Sequence, residues 1–334
     1  MIPYNKTDLD RIAIKLLEMQ PDPIPRFRII KNILKYDSGS LEYREAERQI
    51  YNTNLIARLN TSQFDDGSWG RFHTQDSSVD SPFPTTEIAV KLALDYGLDK
   101  NSILLRRTVD YILDHLDGKL EWSDPAEKHD NPAAWPIETR MYSASILALI
   151  DNCHPSLDRY WDYWNTVLSA AFGSGVYNSQ VEKTERIRLD NCIRKRPLPF
   201  HVKHPLIIIT STRRTLDEEL QDRILDFVMN NPQGIYYVYS KRLNDFNAIA
   251  ARDVFFWLQA QMIIGRFKLW REKSEPALEW IWTKKNKNGL WDFGSGIPRR
   301  PMLSFPLSTS WKKGKDRVID QSVCVLEFLS KYYD

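Results

Sequence analysis

Gln63-Phe64-Asp65-Asp66-Gly67-Ser68-Trp69-Gly70 is the stretch on which the fold turns. Its kernel, a glycine followed two places on by an aromatic residue, returns as Gly175-Val176-Tyr177, Gly234-Ile235-Tyr236 and Gly289-Leu290-Trp291. A looser copy stands at Gly118-Lys119-Leu120-Glu121-Trp122. The chain has only 13 glycines in 334 residues, so their placement carries information. The markers recur at roughly 50–60-residue intervals, the mark of a repeat architecture.

Each marker sits between two kinds of helix. Before it runs an amphipathic segment: Asn101 to Leu116 sets Leu104, Leu105, Val109, Ile112, Leu113 and Leu116 on one face, and Glu218 to Met229 does the same with Leu220, Ile224, Leu225, Phe227 and Val228. The glycine then ends the helix in the left-handed conformation that a missing Cβ permits. After it come a polar loop and a helix apolar nearly all round, as in Thr86 to Tyr96, Glu138 to Ile150, Asn247 to Ile264 and Arg317 to Tyr332. Such a helix is buried on both sides, whereas its amphipathic partner faces water. Thr7 to Met19 and Arg26 to Tyr36, separated by Pro21, Pro23 and Pro25, supply a sixth pair. Six hairpins predict an all-α chain of about twelve helices, closed into a single (α/α)6 toroid spanning residues 1–334; an open solenoid would leave two apolar ends to cap.

Composition narrows the class. Lys+Arg number 46 and Asp+Glu 44, a net charge of +2, so bulk charge selects no partner. An apolar fraction of 42% with 27% charged residues excludes disorder. The longest aliphatic run, Leu206-Ile207-Ile208-Ile209, is far too short to span a membrane, and Met1-Ile2-Pro3-Tyr4-Asn5-Lys6 has no apolar signal core. Cys153, Cys192 and Cys324 are odd in number and widely separated, which points to a reducing, cytoplasmic setting.

The segment at 63–70 closely resembles the Q-x-x-D-G-S-W repeat of the squalene-cyclase and prenyltransferase superfamily, and Asn288-Gly289-Leu290-Trp291-Asp292-Phe293 is a recognisable second copy. The resemblance implies an α/α toroid in which Gln63 and Trp69 staple neighbouring outer helices, so Gln63, Asp66, Gly67, Trp69, Gly289 and Trp291 read as structural. Fold alone does not carry chemistry over. The superfamily's cyclases protonate with a D-x-D-D acid, absent here; Asp65-Asp66 and Asp8-Leu9-Asp10 are the nearest approximations. The magnesium motif D-D-x-x-D fails at Trp69. The zinc-binding D-x-C of protein prenyltransferases is matched only by Asp190-Asn191-Cys192, and no histidine follows His204. Asp190, Cys192, His201 and His204 have permitted zinc-ligand atom types, but ordinary loop residues are the default reading and neither a metal nor any other cofactor is expected. G-x-S-x-G, G-x-G-x-x-G and P-loop patterns are missing too.

Site residues are therefore sought at the starts of the inner helices, which converge on one opening of a toroid. They are Glu87, Glu138 and Arg140, Arg252 with Asp253, and Asp320 with Gln321. Glu87 and Glu138 also suit the positive end of a helix dipole without any chemistry. The loop after the first marker adds His73 and Asp76, and Trp135, Phe255, Phe256 and Trp257 could supply lining rings. His115 is expected on a solvated helix face. The connection 181–214 carries nine basic residues, Arg194 and Arg196 among them, against three acids. It reads as a solvated loop or as a rim that attracts an anion; lacking interleaved aromatics, it is not a nucleic-acid surface.

These readings converge on a terpene-cyclase- or prenyltransferase-like enzyme of undetermined reaction. It would act on an anionic or amphiphilic small molecule or peptide, using Glu87, Glu138, Asp76 and His73 for acid–base catalysis and Arg140, Trp135, Arg252, Asp320, Arg194 and Arg196 for binding. The alternatives are a non-catalytic toroid holding a lipid-like ligand or a partner protein, and a carbohydrate-active α/α barrel with paired carboxylates.

Overall fold

The computed structural model describes residues 2–74, 83–122, 124–125, 134–192, 198–210, 214–297 and 305–333. Among them the chain is all-α, with fifteen α-helices and no strand. In order these are α1 (Lys6–Glu18), α2 (Pro23–Arg28, continued by a wider π turn Ile29–Ile33), α3 (Leu41–Tyr51), α4 (Asn54–Ser62), α5 (Thr86–Asp95), α6 (Ile103–Leu116), α7 (Trp135–Ile150) and α8 (Asp158–Ala171). There follow α9 (Ser179–Asp190), α10 (Lys203–Thr210), α11 (Glu218–Asn230), α12 (Val254–Ile264), α13 (Trp270–Lys273), α14 (Glu275–Trp282) and α15 (Gly314–Ser330).

The two helix types are distributed as the sequence pattern requires. The amphipathic α6, α8 and α11 bury one face each, whereas α7 and α12 are buried nearly all round. The inner helices touch in succession: α5 on α7, α7 on α10, α10 on α12, α12 on α15, and α15 back on α2. Outer helices lie against them, α6 on α7, α8 on α10 and α1 on α15. The two ends of the chain are thereby joined. The Arg28 Nε donates to Glu327 Oε1 at 2.8 Å, the Tyr4 hydroxyl to the Leu329 carbonyl at 3.3 Å, and the Tyr333 hydroxyl to the Tyr4 carbonyl at 3.0 Å. One hydrophobic cluster runs from Tyr4 to Leu329 and takes in Trp69, Trp164, Trp257, Trp270 and Trp291, which accounts for much of the high tryptophan count.

Beyond the helix count, fifteen among the described residues against about twelve expected, two features depart from the sequence reading. The connection 181–214 holds helix α10 and most of α9. Helix α9 is mostly polar and buries only Glu182 and Arg186, so it shows no apolar stripe. Helix α10 has eight residues, Lys203-His204-Pro205-Leu206-Ile207-Ile208-Ile209-Thr210, too short for a 3.6-residue period to emerge and rich in β-branched residues that also suit strands. Second, His115 is buried rather than solvated. It stacks on Trp122 at 4.3 Å with its Nδ1 3.0 Å from the Leu120 carbonyl.

The marker turns are joints. All five marker glycines have a positive φ. At the first, the Trp69 indole N–H bonds back to the Leu59 carbonyl at the end of α4 (2.9 Å), and the Trp69 backbone N–H bonds forward to Thr86 Oγ1 at the start of α5 (2.9 Å). The last repeat copies this: the Trp291 indole N–H reaches the Ile281 carbonyl (2.8 Å) and its backbone N–H reaches Ser322 Oγ (3.0 Å). The Gln63 amide donates across to α6, at the Leu104 carbonyl (2.9 Å) and Thr108 Oγ1 (3.2 Å). Gly67 has no room for a side chain, since a Cβ would lie 2.3 Å from the Arg107 carbonyl oxygen; around Gly289 nothing comes within 4 Å.

The two glycines should therefore respond unequally to alanine. Gly289→Ala carries only left-handed strain, about 1 kcal/mol, whereas Gly67→Ala adds a backbone collision and should cost about 3 kcal/mol or more. Urea denaturation of the two variants checks the order; equal losses would contradict the joint described for the first turn.

Candidate functional site

Helix α5 begins at Thr86, capped by the Thr85 hydroxyl, and puts Glu87 in its first turn. The Glu87 backbone N–H bonds to the Phe72 carbonyl and that of Thr86 to the Arg71 carbonyl, tying the helix start to the loop that follows the first marker. That loop is gripped by Asp124, whose buried carboxylate accepts the backbone N–H groups of Phe72 (2.9 Å), His73 (2.8 Å) and Thr74 (2.7 Å) and the Thr74 hydroxyl (3.0 Å). The fixed loop delivers His73, whose Nδ1 lies 2.7 Å from Glu87 Oε2. From the other side, the first turn of α10 brings Lys203, whose ammonium bonds Glu87 Oε1, and His204, whose Nε2 is 3.1 Å from the same oxygen. Tyr142 of α7 covers both imidazoles, stacked on His73 at 4.2 Å and tilted over His204 at 4.5 Å.

One buried carboxylate is thus shared by an ammonium and two imidazoles. Burial pushes the Glu87 carboxyl up, but Lys203 and His204, with hydrogen bonds from both imidazoles, outweigh it and hold the group well below the usual carboxylate range. Glu87 is an anion. The nitrogens facing it must then carry protons, Nδ1 in His73 and Nε2 in His204. Burial lowers the His204 pKa to about 4 in spite of Glu87, so His204 is neutral at pH 7 and its Nδ1 is a bare lone pair. That Nδ1 is buried and has no hydrogen-bond partner.

Lys203, alone of the four cluster residues, lines a cavity of about 380 Å³. Arg28 of α2, Lys91 of α5, Leu149 of α7, Ile207 of α10, Leu258 of α12 and Cys324 of α15 all contribute to its wall, so six helices border it. Its charged lining comprises Arg28, Lys91, Lys203, Arg266 and Lys331 against Asp95 and Glu327. Burial lowers the Arg266 pKa only to about 10, which leaves it cationic. Lys203 belongs to both places, bonded to Glu87 and lining the cavity.

Among the candidates from sequence, the structure brings together Glu87 and His73, and adds His204 and Lys203. Glu138 instead faces Arg186 at 3.8 Å, beside the Arg186–Glu182 pair. Trp135 donates its indole N–H to the Asp124 carbonyl (3.0 Å) and meets Tyr142 edge-on, a support of the site. Arg140 lies near Gly118, a Cβ on which would be 3.7 Å from its guanidinium. Arg252 has a side chain 73% exposed and lines a separate surface cleft with Lys241 and Asp253. Asp320 is fully buried and occupied by four donors, the Leu307 and Ser308 N–H groups, the Ser308 hydroxyl and the Trp311 indole. It holds its loop as Asp124 holds the first. Asp76, Arg194 and Arg196 lie outside the described residues.

The four-ligand metal set does not assemble. The Asp190 carboxylate accepts from the Tyr163 hydroxyl (3.1 Å), His201 Nδ1 pairs with the Asn231 amide (3.0 Å), and His204 belongs to Glu87. Among the described residues the group whose ligand atoms do converge is His73, Glu87 and His204. Two histidines and a carboxylate are a known donor set for divalent iron, but the fit here is poor. The Lys203 ammonium already holds Glu87 Oε1, and a metal on His204 Nε2 would move the ring proton to Nδ1, where no acceptor waits. The arrangement suits proton transfer better than metal binding.

Lys203 and His204 were not legible from sequence as partners of Glu87. The usable signal was Pro205, whose missing N–H is tolerated in the first turn of a helix and so places a helix start close to Lys203. Set beside known protein families, curated proteins and solved structures, the chain matches none of them.

The pH dependence of stability follows from the histidines. His204 and His201 both titrate near 4 when folded, lowered by burial, and near 6.5 when unfolded. Below pH 6.5 the unfolded chain takes up protons that the folded chain refuses, so stability falls as pH drops from 6.5 towards 4. His204 alone should remove about 2–3 kcal/mol by pH 4.5. Urea unfolding at pH 7.0 and 4.5 should show the loss, and His204→Gln should reduce its slope; a flat profile would refute the buried neutral state.

Proposed function

We propose that the chain is a single (α/α)6 toroid of the squalene-cyclase and prenyltransferase kind, and a cytoplasmic enzyme. In this reading its central chamber takes an anionic, amphiphilic small molecule, on which the cluster around Glu87 performs acid–base chemistry. The toroid reading is supported by the succession of inner helices from α2 to α15 and by the joining of α15 to α1 and α2. The repeat reading is supported by the bonds of Gln63, Trp69 and Trp291, which link helix ends across the marker turns.

The observation that carries the function is the position of Lys203. It connects a buried carboxylate flanked by two imidazoles with an apolar-walled chamber in which cations outnumber anions. An acid–base group beside an enclosed cavity is what a proton-transfer enzyme needs. The excess of cations favours a phosphate or carboxylate head, and the walls of Leu94, Leu149, Leu258, Met262 and Ile263 favour a hydrocarbon tail. The groups bonded to Glu87 are an ammonium and imidazoles, which favours this reading over a glycosidase with two working carboxylates.

Incubation with farnesyl or geranylgeranyl diphosphate, followed by product analysis, tests the proposal. Wild type should consume one of them; Glu87→Gln and Lys203→Met should slow turnover by about 100-fold or more while remaining folded by circular dichroism. Unchanged diphosphates throughout, with no thermal stabilisation by either, would reject a prenyl-type substrate.

A further inference from the structure

The chamber has two unlike ends. Along α12 its wall is the stripe Phe255, Leu258, Gln259, Met262, Ile263 and Arg266, one face of a helix. The helix stops at Ile264, but the Arg266 N–H still bonds the Ile263 carbonyl (3.3 Å), so the turn carries on as far as Arg266. From Phe255 to Ile263 the stripe rises about 12 Å. Its first turn lies at the Lys203 end: Val202 pairs with Tyr236, and Val238, two residues further on, borders a surface cleft with Asp253 and Phe256. Its last turn meets the end of α15, where a Cβ on Gly265 would be 3.0 Å from Lys331 Cε. Charge divides between these ends. Lys203, at the first, is bonded to Glu87. At the second the lining holds Arg28, Lys91, Arg266 and Lys331 against Asp95, the last residue of α5, and Glu327, in the last turn of α15. Arg28 bonds Glu327 and Lys91 bonds Asp95, so the surplus of lining cations sits where the helices finish. Cations there also suit the negative ends of helix dipoles, a role that needs no ligand. What sets Arg266 and Lys331 apart is that both line the chamber and both keep accessible surface.

We propose that the chamber takes its ligand in one direction, with an oxyanion head, phosphate or carboxylate, on Arg266 and Lys331 and a hydrocarbon chain laid along the α12 stripe towards Lys203. The proposal rests on the amphiphile reading given above and assigns head and chain to opposite ends of the chamber. The guanidinium offers two parallel N–H groups to an oxyanion, and the ammonium adds a point charge beside it. Leu258, Met262 and Ile263, with Leu149 and Ile207 from α7 and α10, give the chain an apolar wall. The far end of the chain, not the head, is then what meets Lys203.

Calorimetry on the full-length protein, with saturated probes kept below their micelle concentrations, tests this without any turnover. Decyl phosphate, decanoate or both should bind, and decanol should bind about tenfold more weakly or worse. Arg266→Met and Lys331→Met should each weaken the charged probes about tenfold while leaving decanol unchanged, and Arg266→Lys should recover part of the loss. Lys331→Glu should go further and reverse the preference, taking decylammonium over decyl phosphate, which a lysine that only caps a helix would not do. Direction is read from Leu258→Trp, which should weaken decyl phosphate but spare butyl phosphate; a head seated at Lys203 would lose both. Decanol binding as tightly as the anions, no binding of either anion, a wild-type preference in Lys331→Glu, or loss of butyl phosphate in folded Leu258→Trp would each overturn the proposal. These probes do not react, so an inert protein that still binds them through Arg266 and Lys331 would defeat the acid–base reading alone, and a failed head site would leave that reading standing.

Discussion

The backbone and indole N–H groups of Trp69 are the joint on which the rest depends. The indole fixes the end of α4 and the backbone N–H fixes the start of α5 through Thr86. Glu87 is the next residue, so the turn that links two helices also sets the position of the carboxylate. Gly67 makes the joint possible, because its lack of a Cβ lets the turn lie against the Arg107 carbonyl. Asp124 completes it by collecting three N–H groups of the following loop, which puts His73 against Glu87. Structure and site are consequences of one local geometry.

The electrostatics of the site follow from burial. A carboxylate this deep would ordinarily be protonated, since desolvation penalises the charged form. Lys203 reverses that outcome, and the two imidazole N–H groups add to it. The same burial has the opposite consequence for His204, which it keeps neutral. A charged acceptor beside a neutral ring is a stable division only because the ammonium supplies the compensating charge; removing Lys203 would leave Glu87 to compete for a proton with the histidines it now orients.

Lys203 also explains why the chamber and the cluster belong together. Its ammonium bonds Glu87 and its side chain lines the cavity, so in the proposed function an anion bound beside it would compete for the cation that holds Glu87 ionised. The Arg28–Glu327 pair lines the same cavity and joins α2 to α15, so the chamber wall is also where the two ends of the chain are held.

The helical character, the alternation of amphipathic and buried helices, and the joints at Gly67–Trp69 and Gly289–Trp291 were written in the sequence, because each is a matter of local periodicity or of a glycine's φ. Glu87 and His73 were also visible, as polar residues next to a helix start and a marker turn. What local reasoning could not supply was partnership. Lys203 and His204 stand 116 and 117 residues from Glu87, on a helix too short and too β-branched to announce itself. Asp320, read from sequence as a helix-start residue like Glu87, lies in the second turn of α15 and is a loop anchor, because four donors surround it. Sequence determined which segments are helices and where they turn; only the tertiary structure decided which carboxylate met two imidazoles and which met a loop, since long-range neighbours set desolvation and hydrogen bonding, and these set a residue's chemistry.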